Sequence, residues 1–272
     1  MMNLEGKTVT EPENLNELCF EDKWILSKLN AVIRDVTDNM DKYELGIAVQ
    51  KVYDFLWDEL CDWYIEMAKV RLWKADEDPK AANDALWTLR TALTEGLKLL
   101  HPYMPFITEE IYCTLLPEEE SIMISDWPVY QEAWVFTEAE KAVESFKEAI
   151  RGIRNTRTEM NVPMNRKTHL YVVGKDAETC ARYEACKKSF VNLAFAKEIH
   201  VQENKDGIGE DAVSVVVSDA VVYMPLEDLV DREKEMERLK KEQERLTKEI
   251  ARCQGMLNNP NFVNKAPEAK VN

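Results

Sequence analysis

Apolar side chains recur at spacings of three and four along the first half of the chain, and this period predicts helices. A first helix with a single apolar stripe is predicted over residues 22–40. Asp41 and Glu44 have the spacing of a capping box, which predicts that a second helix begins at Asp41 and continues to about residue 73. The short link between the two helices favours antiparallel packing.

Two prolines mark the next pair of helices. Asp78 is a predicted N-cap before Pro79, so that a third helix runs from there to residue 100. The string HPYMPFITEEIY (101–112) closes that helix and opens a fourth, predicted over 106–116. Its second proline has the backbone angle suited to a first helical turn.

A fifth helix follows a connection that lacks helical period. Residues 122–124 are predicted to form a short extended piece within that connection. Thr137 and Glu140 have the spacing of a second capping box, which predicts a helix from Thr137 to about residue 160. The first four helices with their short links predict an antiparallel bundle, and residues 1–160 form the first predicted domain.

The pattern changes to β-branched runs after residue 160, and a small α+β domain is predicted over residues 161–228. Ser218-Asp219-Ala220 suits a tight hairpin turn between the last two strands of this domain. The predicted strands cover residues 169–173, 198–202, 212–217 and 221–224, with a helix at 176–194 between the first two.

A heptad repeat occupies the third predicted domain, residues 229–272, and predicts a coiled-coil helix. Asn258-Asn259-Pro260 is a turn signal, so we expect the first arm and tip of a helical hairpin whose second arm belongs to a longer protein. An unpaired seam would also invite self-association of the chain. The predicted seam positions are Met236, Leu239, Leu246, Ile250 and Leu257.

Charge and composition limit the function classes. The net charge of −16 argues against nucleic-acid binding by the chain as a whole, but residues 1–130 carry −14 of it and residues 131–272 only −2. A local basic face in the second half is therefore compatible with the total. The six cysteines form no CxxC pair, which predicts reduced thiols in a cytoplasmic protein and no metal site. No apolar run has the length of a membrane span.

Several motifs together resemble the C-terminal region of class I aminoacyl-tRNA synthetases of the valine, isoleucine and leucine group. The bacterial valyl-tRNA synthetase family is the most similar, because of its Leu-Cys-Asp-Trp-Tyr stretch and its C-terminal arm; the isoleucyl and leucyl families are the alternatives. One departure is Val70, where the family has proline. The motifs, beside the string at 101–112, are DKWILSKLN (22–30), WDELCDWYIEMAK (57–69), SDWP (125–128), IRNTRTEMNVP (153–163), LEDLVDREKEMERLKKE (226–242) and NNPNFVNKAPE (258–268).

This resemblance implies a tRNA-binding module that recognises the anticodon stem-loop of tRNA-Val, and with its arm the outer corner of the tRNA. The sequence lacks the His-Ile-Gly-His and Lys-Met-Ser-Lys-Ser signatures of the ATP site. ATP and Mg²⁺ are therefore expected to act elsewhere in the full-length ligase, and no catalytic residue, cofactor, DNA or membrane is predicted for this chain. The ligase would join valine to its tRNA only with a catalytic domain that this chain does not include.

The fifth helix and its exit form the first predicted RNA-binding surface. Arg151, Arg154 and Arg157 fan over one side of the helix, and residues 147–167 contain six basic and two acidic side chains. Guanidinium groups grip phosphates and stack on unpaired bases. The alternative is a solvated face with Arg154 paired to an acid of the bundle. Further candidates on this surface are Asn155, Arg166 and Lys167.

Two weaker RNA-binding candidates lie in the bundle. Trp24, flanked by Lys23 and Lys28, is an aromatic side chain that could stack on an unpaired base, although its place on the apolar stripe favours core packing. Lys69 and Arg71 lie at the predicted end of the second helix.

Two other functions compete with tRNA binding. A protein-interaction scaffold could self-associate through the heptad helix. An enzyme with its own active site is disfavoured, because the sequence contains no nucleophile–base or metal-ligand pattern.

Overall fold

The computed structural model describes residues 9–163, 165–229 and 232–257. The chain divides into one compact unit that ends at Pro225 and a second that starts at Leu226. Within the described part, the first unit combines a helical bundle with a four-stranded sheet, and the second is helical. The mainly α fold with a small α+β part is therefore confirmed.

Among the described residues, six α-helices and one π-helix form the bundle part of the first unit. The first helix, α1, is its centre, because α2, α4 and α6 all pack against it. The side chains of Trp24, Ile25 and Leu29 on α1 are completely buried. The helices are α1 (Phe20–Asp41), α2 (Leu45–Asp54), the π-helix (Phe55–Tyr64), α3 (Ile65–Leu72), α4 (Pro79–Leu100), α5 (Pro105–Leu115) and α6 (Thr137–Glu159).

The predicted start of the second helix is wrong. Helix α1 continues through Asp41, and Tyr43 then adopts a left-handed backbone conformation with φ of 60°. Glu44 precedes α2 without a side-chain cap, so the predicted capping box does not form. From Leu45 to Leu72 the chain is helical throughout, but the Phe55–Tyr64 segment is wound as a π-helix, which the apolar period did not indicate.

The predicted capping box of α6 is also wrong. Thr137 is the first residue of α6, and no side-chain cap comes from its own segment. Ser27 of α1 provides the missing contacts instead: the Phe136 N–H donates to Ser27 Oγ at 3.1 Å, and Ser27 Oγ donates to Glu140. Residues Ile122–Ile124, predicted as extended, form one turn of 3₁₀ helix that Ser121 caps.

The sheet has strand order β2-β1-β4-β3. Strands β1 and β2 are parallel, and the remaining neighbours are antiparallel. The predicted single helix between β1 and β2 is two helices, α7 and α8, and the predicted β3–β4 hairpin is confirmed. The elements are β1 (Thr168–Gly174), α7 (Ala177–Ala185), α8 (Lys187–Leu193), β2 (Ala196–Gln202), β3 (Val213–Val216) and β4 (Ala220–Met224).

Helix α6 connects the bundle to the sheet. Gly152 on α6 lies so close to β3 that a Cβ atom there would be 2.4 Å from Val215 Cγ1. Helix α8 packs on α3, and Ser189 Oγ donates to Glu21 at the start of α1 over 2.5 Å. The α+β part therefore contacts both the first and the last helix of the bundle: β3 lies against α6, and α8 is hydrogen-bonded to the start of α1.

The second unit contains α9 (Leu226–Leu229) and the long helix α10 (Arg232–Leu257). Three predicted seam side chains are exposed: Met236 at 59%, Leu246 at 46% and Ile250 at 57%. The side chains of the other two seam residues, Leu239 and Leu257, lie outside the described part of the structure, as does the predicted turn at 258–260.

Candidate nucleic-acid interface

A helix cap directs the chain from the end of α6 into the sheet. The Val162 N–H donates to the Arg157 carbonyl at 2.8 Å, and the Asn161 N–H donates to the Thr158 carbonyl at 3.0 Å. This is the hydrogen-bond pattern of a Schellman motif, with Asn161 in the left-handed conformation (φ 54°) at the position that such motifs require. The last turns of α6 therefore lie beside the entrance to β1.

Arg154 is held at this junction by the backbone of another helix. Its Nη2 and Nε donate to the Leu193 carbonyl, at the end of α8, over 2.9 and 3.2 Å. The side chain is exposed, and no carboxylate of the described residues lies within ion-pair distance. The predicted alternative, a direct ion pair with an acid of the bundle, does not form, because the Leu193 carbonyl occupies that role; the charge of Glu66 on α3 acts on Arg154 only from a distance.

Arg151 lies one turn earlier on α6 and is also exposed. Its Cζ atom is 5.2 Å from the centroid of the Trp63 ring, so that the guanidinium covers an aromatic side chain of the bundle. Asn155 and Lys167 are exposed as well, whereas Arg166 is half-buried and engaged in a contact of its own. Lys167 directly precedes β1.

Arg157 does not face solvent, and the prediction that it contributes to an open RNA-binding face is wrong. Only 4% of it is exposed. Its Nη1 donates to Thr168 Oγ1 at 3.3 Å, and its Nη2 donates to the carbonyls of Pro163 and Arg166 at 3.2 and 2.6 Å. Burial lowers the pKa of Arg157, but a guanidinium keeps its proton at neutral pH. Arg157 therefore ties the end of α6 to the start of β1.

Phe195 completes the junction and was not found from the sequence. It lies between α8 and β2 with φ of 54°, a conformation that costs energy for an aromatic residue. The Cζ atoms of Arg154 and Arg157 are each 5.9 Å from its ring centroid. The sequence around it, Ala194-Phe195-Ala196, reads as ordinary apolar core, and only the fold reveals the two arginines beside it.

A cleft of about 330 Å³ opens between α6 and this phenylalanine. None of the described residues that line it is acidic. The lining residues are Arg154, Arg157, Thr158, Val162 and Phe195.

The three candidates near the start of α1 do not form an open aromatic platform. Trp24 is completely buried, its Nε1 donates to Glu144 at 3.3 Å, and the Lys147 ammonium lies 4.8 Å from its ring. The core-packing alternative is therefore confirmed, and stacking of Trp24 on RNA would require α1 to open. Lys28 pairs with Glu144 at 3.0 Å, and Lys23 donates to the Asn16 carbonyl at 2.6 Å.

The candidates at the end of α3 are likewise engaged within the protein. Lys69 pairs with Glu66 at 2.5 Å. Arg71 donates two hydrogen bonds to the buried carboxylate of Asp22, at 2.6 and 2.5 Å, and only 15% of its side chain is exposed. The prediction that Arg71 faces RNA is wrong, because its donors are committed to a buried acid.

Within the residues that the structure describes, no helix is both long and apolar enough to cross a membrane. The same residues contain no group of three or more His, Cys, Asp or Glu side chains arranged to hold a metal ion.

The described residues thus combine a helical bundle, a small sheet and exposed arginines at the junction between them. Comparison with known families identifies two parts of this chain. Residues 22–172 match the family described as the anticodon-binding domain of tRNA ligase, and residues 231–272 match the valyl tRNA synthetase tRNA binding arm. The chain belongs to the family of anticodon-binding domains of tRNA ligases.

Curated relatives agree with both matches. The chain is 48% identical over 279 residues to a valine–tRNA ligase of Clostridium perfringens, in an alignment that covers all of this chain and 31% of the relative. It is 48% identical to that of Clostridium tetani, over 100% of this chain and 30% of the relative, and 39% identical to that of Bacillus subtilis, over 98% and 30%. The chain thus spans about 30% of the length of these relatives.

Proposed function

We propose that this chain is the part of a valine–tRNA ligase that binds the anticodon stem-loop of tRNA-Val and positions the tRNA for aminoacylation. Catalysis, with ATP and Mg²⁺, would belong to the remainder of the longer ligase. The observation that carries the proposal is the family match over residues 22–172 together with the exposed, unpaired arginines at the end of α6.

The electrostatics of α6 support contact with an anionic partner despite the net charge of −16. Arg151 and Arg154 form no ion pair with the described carboxylates, whereas Lys28, Lys69 and Arg71 do form such pairs. Phosphate contacts from these two exposed arginines would supply affinity and orientation, and contacts to base edges would supply preference for the anticodon.

The second unit supports a more specific proposal about α10. Its exposed Met236, Leu246 and Ile250 fall on heptad positions, and residues 231–272 match a tRNA-binding arm. We infer that this seam packs against a second helix as a coiled coil, and that the arm reaches the outer corner of the tRNA. In a preparation of this chain alone, the same seam would pair between two copies.

The test is binding of this chain to a tRNA-Val transcript and to the same transcript with an altered anticodon, across a series of salt concentrations. We expect preference for the native anticodon and a steep fall in affinity with salt. Arg154→Gln should weaken binding, because it removes an unpaired cation from the face of α6. Arg90→Gln on α4 is the matched control, and it should bind as the unchanged protein does.

Equal affinity for both transcripts would contradict anticodon recognition by this chain. Equal effects of the two arginine substitutions would contradict the assignment of the interface to α6.

A further inference from the structure

We infer that the cleft between α6 and Phe195 binds one unpaired nucleotide of RNA, with its phosphate at the exposed Arg154, close to the buried charge of Arg157, and its base against the Phe195 ring. This inference rests on the proposed RNA-binding function and adds a defined site to it. It joins three independent features of the cleft: its charge, its aromatic wall and its fixed geometry.

The positive charge of the cleft would be compensated by a bound anion. Arg157 is almost completely buried, and its three hydrogen-bond acceptors are a hydroxyl and two carbonyl oxygens, all of them neutral. Arg154 is likewise held by a carbonyl. Two guanidinium charges thus line one cleft of about 330 Å³, and no carboxylate is among the described residues of its wall. A buried charge without a counter-ion is costly, and a bound phosphate would compensate it.

The aromatic wall distinguishes a nucleotide from a simple anion. Phe195 is only partly buried, and with Val162 it presents an apolar surface next to the two cations. Unpaired bases stack on aromatic side chains and on guanidinium planes, whereas bases within a duplex are not accessible for such contacts. A cleft that offers both surfaces together fits a base and its phosphate.

The geometry is fixed before any ligand arrives. Arg154 is oriented by the Leu193 carbonyl, and Phe195 is held in its strained conformation by flanking hydrogen bonds: its N–H donates to Asn192 and its carbonyl accepts from the Thr168 N–H, at 3.4 Å each. Strained residues that the surrounding fold maintains are concentrated at binding sites. Little ordering of side chains would therefore oppose binding.

The experiment measures binding of the whole chain to single-stranded penta-uridylate and to a hairpin RNA with the anticodon stem and loop of tRNA-Val. Phe195→Leu should weaken binding of both RNAs by about tenfold, because stacking is lost, and should leave the salt dependence unchanged. Arg154→Gln should weaken binding and reduce the slope of log K against log salt by about one. Phe195→Tyr, which keeps the aromatic ring, should bind both RNAs as the unchanged chain does.

Matched controls separate the cleft from general loss of an aromatic or a charge. Phe106→Leu removes a ring on α5 that is 91% exposed, and Arg90→Gln removes a charge on α4. Neither residue lines the cleft. Both controls should bind penta-uridylate as the unchanged chain does, and thermal unfolding followed by circular dichroism should show that each variant is folded. In addition, iodouridine within the RNA should photo-crosslink to Phe195.

Failure of the inference and failure of the proposed function give different results. If the chain prefers the native anticodon but Phe195→Leu binds both RNAs normally, the cleft is not a nucleotide site and the proposed function stands. If anticodon preference is absent but penta-uridylate binding depends on Phe195, the cleft stands and the proposed function fails. Absence of penta-uridylate binding by the unchanged chain overturns the inference.

Discussion

Arg71 at the end of α3 grips Asp22 at the start of α1 through two parallel hydrogen bonds of 2.6 and 2.5 Å. The carboxylate is completely buried, and Tyr64 Oη donates a third hydrogen bond to it at 2.6 Å. Burial alone would lower the pKa of Arg71, but the charge of Asp22, its hydrogen bonds to Arg71 and the contributions of Cys19 and Tyr64 together outweigh that effect and raise the pKa well above its ordinary value. The two charges are therefore stable inside the bundle only as a pair.

Removing one member of this pair should strongly destabilise the protein. Asp22→Asn keeps the size of the side chain but leaves the guanidinium of Arg71 buried without a counter-ion, so we expect a loss of about 3–5 kcal/mol. Urea unfolding followed by circular dichroism measures the change. The control is Glu17→Gln, which breaks the exposed ion pair with Lys80 and should leave the midpoint unchanged. Equal unfolding midpoints for the two variants would show that the buried pair contributes no more to stability than the exposed pair.

We expect opposite effects on stability from alanine at two helical glycines, because one lies against β3 and the other faces open space. Gly152→Ala places a methyl group 2.4 Å from Val215 Cγ1 and should destabilise the protein by about 1–3 kcal/mol. Gly46→Ala meets no atom within 4 Å on α2 and should stabilise it by about 0.5–1 kcal/mol, because alanine favours helix. Thermal unfolding gives both values.

A second substitution checks the cause of the Gly152 effect. Val215→Ala in the Gly152→Ala background makes room for the new methyl group and should recover part of the loss. No recovery would mean that Gly152 is required for a reason other than its distance from Val215.

Stability should depend on pH through Glu144. Burial raises its pKa, but the hydrogen bond from Lys28 and the charges of Lys147 and Lys28 together bring the pKa below its ordinary value of 4.5. A carboxylate with a lowered pKa in the folded state stabilises that state above the unfolded pKa, and the contribution disappears as pH falls through the folded value.

Glu144→Gln should therefore lower the unfolding midpoint at neutral pH, and the difference from the unchanged protein should shrink as pH falls below 4.5. The effect should be modest, because the side chain is 42% exposed and solvent screens its ion pairs. Urea unfolding across a pH series tests this, with Glu118→Gln on the exposed connection after α5 as the control. A difference that grows toward acid pH would contradict the assignment.

The exposed seam of α10 predicts concentration-dependent association of this chain. Sedimentation equilibrium should show an increase in mean mass with concentration. Leu246→Asp places a charge in the seam and should abolish that increase, whereas Lys248→Asp off the seam should not. A mass that is constant for the unchanged chain would count against pairing through α10.

Helix positions were predictable where a local signal determines them. The Asp78-Pro79 cap, the prolines of residues 101–112 and the alternating strands gave bounds within two residues of those in the structure. The start of α2 and the cap of α6 were mispredicted for physical reasons, whereas the start of α6 at Thr137 was predicted correctly. Tyr43 turns the chain in a conformation for which glycine or asparagine is the usual signal, and Ser27, which contacts the start of α6, is 109 residues away from Phe136.

For the candidate site as well, local sequence signals predicted some features and missed those that depend on tertiary packing. The arginine spacing on α6 correctly indicated that Arg151 and Arg154 are exposed. It did not reveal that Arg157, on the same helix, is buried against the start of β1, because that burial depends on how the sheet packs on α6. Phe195 was missed because its importance comes from its backbone conformation and its neighbours and not from its residue type.

The bond between Glu21 and Ser189 has a consequence for the order in which a ribosome could complete this fold. The two residues are 168 positions apart, and both are buried. At about 5–20 residues per second, roughly ten to thirty seconds of synthesis separate them. Until α8 leaves the ribosome, Glu21 at the start of α1 lacks its hydroxyl partner. The bundle is therefore an incomplete folding intermediate until α8 packs against it.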